Sequence, residues 1–155
     1  MKHFIWVTLF FVLVACDSNR VFEENEDLTD RVWLEENILD FEFEIEDATK
    51  DYSIYANIRN TKDYPFYNLY YHYSLLDSLG KPLKKDLMNI DLFHPKTGEP
   101  YGSGLGDMFD HQQVVLSPFS FPDAGRYTIR MEQYMRRDSL HNVVSVGVRV
   151  EKNKE

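Results

Sequence analysis

The stretch Phe41-Glu42-Phe43-Glu44-Ile45-Glu46 decides the fold class. Three apolar side chains alternate with three carboxylates. Successive side chains of a strand point to opposite faces, so this stretch buries one face and wets the other. The period of two continues outward. Tyr52, Ile54, Ala56 and Ile58 alternate with Ser53, Tyr55, Asn57 and Arg59. A further strand over 66–76 is expected to neighbour 52–59 across the turn Asn60 to Pro65. Asp77-Ser78-Leu79-Gly80 supplies turn chemistry before a more weakly patterned return segment, Pro82 to Ile90. Val114-Val115-Leu116 and Phe119-Ser120-Phe121 are short apolar pieces. Tyr127, Ile129 and Met131 then share a face, and Val144, Val146, Val148 and Val150 close the chain in β-branched residues that suit a pleated surface. No helical period and no fixed-length repeat competes. About seven strands between turns predict an all-β fold, an antiparallel β-sandwich of immunoglobulin-like or jelly-roll-like type, with a small closed barrel as the competing architecture.

The N-terminus reads differently. Met-Lys-His precedes an apolar run from Phe4 to Val14 broken only by Thr8, and Ala15-Cys16 follows. A short basic region, an apolar region and a small residue before a cut site make a signal segment. As a helix the run spans roughly 16 Å, too short for the ~30 Å hydrocarbon core. Leu13-Val14-Ala15-Cys16 resembles the bacterial lipobox, in which the cysteine thiol is acylated before cleavage on its N-terminal side. Cys16, the one cysteine of the chain, is therefore the expected lipidation site. The domain plan is residues 1–15 as lipoprotein signal peptide, 16–40 as lipidated N-terminus and acidic tether, and 41–155 as the β-sandwich domain. Trp33 is expected to dock on the domain.

The 155 residues suit one domain, and 43% apolar with 15% aromatic content supplies one core. A net charge of -9 argues against nucleic acid as a partner, because binding phosphate takes clustered Lys and Arg. Lys84-Lys85 and Arg136-Arg137 are isolated pairs beside Asp86 and Asp138. Anionic lipid likewise attracts polybasic segments, so attachment to a bilayer rests on the acylated cysteine. A single cysteine makes no internal disulfide.

Residues 91 to 113 are dense in Gly and Pro and are expected as the long loop of the domain. Within it, Gly102-Ser103-Gly104-Leu105-Gly106 lacks the flanking strand and helix of a dinucleotide site. Asp107, Asp110 and His111 are competent cation ligands if the loop lets them converge. A tight turn with Asp capping backbone amides is the commoner use of such a run, and neither a metal nor any other cofactor is expected. No serine sits in a nucleophile elbow, and His72, His94, His111 and His141 have no evident acid partners. The expectation is a noncatalytic protein. Tyrosines are in excess: Tyr67, Tyr71 and Tyr73 share one strand face, which places Tyr70 on the other with Asn68 and His72. Exposed Tyr70 and His72, together with Asp107, Asp110 and His111, are the candidate binding residues.

Taken together, several segments resemble one family. They are Cys16-Asp17-Ser18-Asn19-Arg20, the run Asn57 to Tyr70 through Asp63-Tyr64-Pro65, Gly102-Ser103-Gly104-Leu105-Gly106-Asp107 with Asp110-His111, and Gly125-Arg126-Tyr127 onward through Val146-Gly147-Val148-Arg149-Val150-Glu151. This set resembles the gliding motility lipoprotein family GldH of Bacteroidetes-type bacteria over nearly the whole chain. The resemblance implies a lipid-anchored component of the envelope apparatus for gliding, partnered with other motility or secretion-system envelope proteins at the periplasmic face of the inner or outer membrane. It implies no catalytic mechanism and carries over no binding residues. A carbohydrate-binding module for peptidoglycan or surface glycan, engaging Tyr70, is the alternative function, and a hydrolase with paired titratable groups in a cleft is a more distant one.

Overall fold

The computed structural model describes residues 19–154, so the signal segment and Cys16 lie outside the described residues. Eleven strands follow in chain order: β1 (Arg20–Asp27), β2 (Val32–Leu34), β3 (Leu39–Ile45), β4 (Asp51–Thr61), β5 (Asn68–Leu76), β6 (Pro82–Asp91), β7 (Ser103–Leu105), β8 (Met108–Ser120), β9 (Gly125–Gln133), β10 (Ser139–His141) and β11 (Val143–Lys152). One turn of 3-10 helix, Thr29–Arg31, separates β1 from β2. A five-stranded sheet in the order β1-β11-β4-β8-β7 packs on a four-stranded sheet in the order β3-β9-β5-β6, and β10 and β2 form a separate ribbon. All pairings are antiparallel. The molecule is an all-β antiparallel sandwich, as the alternation predicts.

The core follows from that alternation. Leu39, Phe41, Phe43 and Ile45 are buried while the acidic residues between them are exposed. They stand opposite Met131, Ile129 and Tyr127 of β9. Tyr52, Ile54, Ala56 and Ile58 of β4 lie beside Val146, Val148 and Val150 of β11, all buried. Each such side chain contributes about 1.5–3 kcal/mol by leaving water. Phe121, just beyond β8, meets the rings of Phe43, Tyr52, Phe119 and Tyr127 at centroid distances of 6.0, 5.4, 4.9 and 4.6 Å. Trp33 is fully buried, and its indole N–H donates to the Asn37 carbonyl at 3.0 Å, so it docks on the domain as expected.

Three expectations are corrected. The stretch read as an acidic tether is structured from its first described residues: β1 is an edge strand paired with β11, and β2 pairs with β10. Glu24 and Glu26 of β1 stand opposite Val148 and Val146, on the core side of the sheet, yet are exposed because nothing lies beyond the edge. Inward-side charge at an edge blocks further strand pairing, and it also erases the alternation that marks a strand. Secondly, β4 and β5 are not neighbours. Residues 62–67 cross from one sheet to the other, so β4 pairs with β11 and β8 while β5 pairs with β9 and β6. Period two fixes which face is buried, not which strand lies alongside. Thirdly, the expected long loop contains β7 and the start of β8. Leu105 opposes Met108 across a two-residue turn, Gly106-Asp107, in which Gly106 has φ +69°. Glycine at the first central position is what a tight hairpin with the matching twist requires. The same strand then runs on through Val114-Val115-Leu116 and ends at Ser120, within the second apolar piece.

Candidate functional site

The sandwich presents two outer faces of different chemistry. On the five-stranded sheet, strand register places Asn25, Gly147, Asn57 and Gln112 in one row across β1, β11, β4 and β8. The side chains are linked along that row. The Gln112 amide N–H donates to Asn57 Oδ1 at 2.9 Å, and Asn57 Nδ2 donates to Asn25 Oδ1 at 3.3 Å. The row depends on glycine at 147, where a Cβ would collide with the Asn25 amide oxygen and the Glu24 carbonyl. Ionic pairs flank it. Arg59 donates to Asp110 through Nε at 2.6 Å and Nη2 at 3.2 Å. Arg149 reaches Glu23 at 3.1 Å and also pairs with Glu151. The Asp110 carboxylate holds the Arg59 guanidinium even further above neutrality than usual. Glu23, Asn25, Asp27, Asn57, Arg59 and Gln112 line a depression of about 430 Å³ on this face.

The outer face of the four-stranded sheet is aromatic on β5 and charged on β3 and β9. Tyr70 is 40% exposed, and Leu87, which stands opposite His72 on β6, is 43% exposed. Tyr134, just past β9, is 47% exposed and lies 4.5 Å from the His72 ring, with its backbone N–H donating to the Tyr70 carbonyl at 2.8 Å. Tyr71 and Tyr73, one residue out of phase, are buried. Farther across the sheet Arg130 pairs bidentately with Asp40 at 2.7 Å on both arms.

Between the sheets lies a polar seam. Burial pushes the Tyr71 phenol up, and its O–H donates to Gln113 Oε1 at 2.8 Å. Gln113 in turn donates to the Asn89 carbonyl at 2.9 Å, tying β8 to the edge of β6. His111 is buried on the same side of β8, and its Nε2 has no hydrogen-bond partner among the described residues. Gly102 packs directly against its ring, leaving no room for a Cβ there. Burial lowers the imidazole pKa, opposed by Asp110, and favours the neutral form.

These positions separate the candidate residues. Tyr70 and His72 share the aromatic face as the alternation predicts. Asp107, Asp110 and His111 do not converge. Asp107 sits at the hairpin turn, 3.2 Å from Lys62; Asp110 points outward to Arg59; His111 points inward, because neighbouring strand residues face opposite ways. Among the described residues no group of three or more His, Cys, Asp or Glu is placed to hold a metal ion. Asn25, Gln112 and Gly147 are unremarkable in sequence and meet only through register. The parity of β4, with Asn57 and Arg59 opposite in phase to Ala56 and Ile58, is the one signal that pointed to that face.

The class that this fold defines is a small antiparallel β-sandwich domain with decorated outer faces. The chain belongs to the GldH lipoprotein family, whose model matches residues 20–150. It is similar to a gliding motility lipoprotein GldH homolog of Christiangramia forsetii, 29% identical over 97% of this chain and 94% of that protein. It is also similar to the gliding motility lipoprotein GldH of Flavobacterium johnsoniae, 26% identical over 90% of this chain and 89% of the other. Among solved structures, the infectious bursal disease virus VP2 subviral particle overlaps 94% of this chain and 37% of its own, with 12% identity and a TM-score of 0.45. Dimeric latent PorU from Porphyromonas gingivalis overlaps 87% and 13%, with 10% identity and a TM-score of 0.38. The chain is thus a homologue of the gliding motility lipoprotein and, as a lipoprotein, is held at a membrane of the cell envelope.

Proposed function

We propose that this chain is a noncatalytic component of the gliding machinery that acts by binding another motility or secretion-system envelope protein, with the face around Tyr70 as the contact. The observation that carries this reading is the exposed set Tyr70, Tyr134 and Leu87 around the half-buried His72 on one sheet surface. Aromatic side chains give large contact area with a polar tip, and such residues dominate the energetics of protein interfaces. The hairpin tip is a second contact, since Leu105 is 93% exposed beside Asp107.

The anchor is Cys16, acylated and made the first residue of the mature chain. Two or three acyl chains give lasting attachment, whereas one gives only marginal binding. Residues 17–19 alone separate Cys16 from β1, whose start lies beside the end of β11: the Lys152 N–H donates to the Asn19 carbonyl at 2.8 Å. β4 begins at this end and reaches the β7–β8 hairpin at the other, about 35 Å away at ~3.3 Å per residue. The hairpin tip is therefore the membrane-distal end.

The test is partner recovery from cross-linked cells. Leu87→Asp combined with Tyr134→Ala should leave the lipoprotein folded and palmitate-labelled but remove its co-purifying envelope proteins. Asp107→Ala should reduce recovery less. Undiminished recovery from the double variant refutes the tyrosine face as the contact, and Cys16→Ser that still incorporates palmitate refutes the anchor.

A further inference from the structure

The row Asn25, Gly147, Asn57 and Gln112 lies on the face opposite the proposed protein contact. It runs from the edge strand β1 across β11 and β4 to β8. Over β11 and β4 the backbone N–H and C=O groups are used by the ladders on both sides, so an occupant there is read by side chains. The side chains offered are planar amides, each carrying donors and acceptors together. The strands are spaced about 4.8 Å apart, so the row spans roughly 14 Å from β1 to β8, with the amides on β1, β4 and β8. The small residue Ser145 of β11 lines the depression of about 430 Å³ between taller neighbours, and the Asn25 amide lies over Gly147. A site of that size lies in the range that holds small ligands.

The charges restrict the occupant. Arg59 and Arg149 are both taken up by carboxylates of the same face, and Asp27 adds a further negative group to the lining. A phosphorylated or otherwise acidic ligand would meet net repulsion. A neutral molecule bearing many hydroxyls meets alternating donors and acceptors at no such cost. Tyr55, two residues before Asn57 on the same face of β4, adds an aromatic ring beside the row.

We propose that this outer face of the five-stranded sheet is a binding site for a neutral oligosaccharide, recognised by Asn25, Asn57 and Gln112. The site is distinct from the face around Tyr70 and does not depend on the protein-contact reading.

The experiment applies the full-length lipoprotein in detergent micelles to an array of neutral oligosaccharides that includes N-acetylglucosamine oligomers, with acidic glycans and cationic peptides as comparison probes. Binding to neutral oligosaccharides is expected. It should fall at least tenfold in Asn57→Ala and in Gln112→Ala, and in Gly147→Ala, which displaces Asn25, while Tyr70→Ala binds as the native chain does. Asn57 and Gln112 are outside the core, so these two variants keep the native thermal transition and a loss of binding reads on the site. Absence of neutral-glycan binding by the native chain overturns the proposal. So does binding that survives Asn57→Ala, binding that Tyr70→Ala abolishes, or preference for the cationic peptides.

Discussion

The two outer faces of the sandwich are built on the same pleat, yet one carries a linked polar row and the other an exposed aromatic patch beside a charged strip. On the five-stranded sheet the outward side chains satisfy one another: Gln112 to Asn57, Asn57 to Asn25, Arg59 to Asp110. On the four-stranded sheet Tyr70, Tyr134 and Leu87 leave substantial apolar area in water. Hydrogen-bonded rows suit a ligand that exchanges hydrogen bonds for hydrogen bonds. Unburied rings suit a partner that removes them from water. The difference teaches that a sandwich divides its work by sheet, with the core holding both faces in place.

A change in that core breaks both faces together and has the largest expected effect. Phe121→Ala removes the ring that meets Phe43, Tyr52, Phe119 and Tyr127, and should cost about 3–5 kcal/mol in denaturant unfolding. A loss under ~1 kcal/mol would mean the cluster is not the centre of the packing. Next, Leu87→Asp should abolish partner recovery while shifting stability by only about 0.5 kcal/mol, as exposed substitutions do. A large stability loss there would show that Leu87 belongs to the core rather than to a contact surface.

The interior seam sharpens the comparison through pH. His111 has its folded pKa lowered from 6.5 by burial. The unfolded chain therefore binds the proton more readily, and stability falls as pH drops below about 6.5, until the lower folded pKa is passed. The contribution is fully present above 6.5. His111→Gln should flatten this part of the stability profile, measured by denaturant midpoints from pH 7.5 downward; an unchanged slope contradicts the buried neutral imidazole. The smallest effect belongs to the Arg59–Asp110 pair, whose side chains are 45% and 52% exposed. A double-mutant cycle should return only ~0.2–1 kcal/mol, less at high salt. A larger coupling would mean that the polar face stabilises the fold as well as decorating it.

Much of the fold is legible in sequence where apolar residues hold one face of a strand. β3 alternates without a break although it is an edge strand, and Tyr52 to Ile58 of β4 and Val146 to Val150 of β11 keep the same parity. Edges that carry charge on the core side are not legible in the same way. β1 carries Glu24 and Glu26 on its core side, and β6 carries Lys84 and Asp86 opposite Leu75 and Tyr73 on the core side of its sheet, so the pattern dissolves where the fold guards its margins. The site divides similarly. Tyr70 and His72 share a face by parity within one strand, which sequence displays. The row through Asn25, Gly147, Asn57 and Gln112 depends on pairing between residues 25 and 147, which only the fold brings together. Adjacent Asp110 and His111 looked like partners in a loop and stand on opposite sides of a strand.

Site-specific photo-crosslinking in gliding cells tests the division of faces most directly, with a benzophenone side chain placed in turn at positions 87, 134 and 57 of the full-length lipoprotein. The account predicts discrete adducts to envelope proteins from positions 87 and 134 and none from position 57. Protein adducts from position 57 with none from 87 or 134 would contradict it.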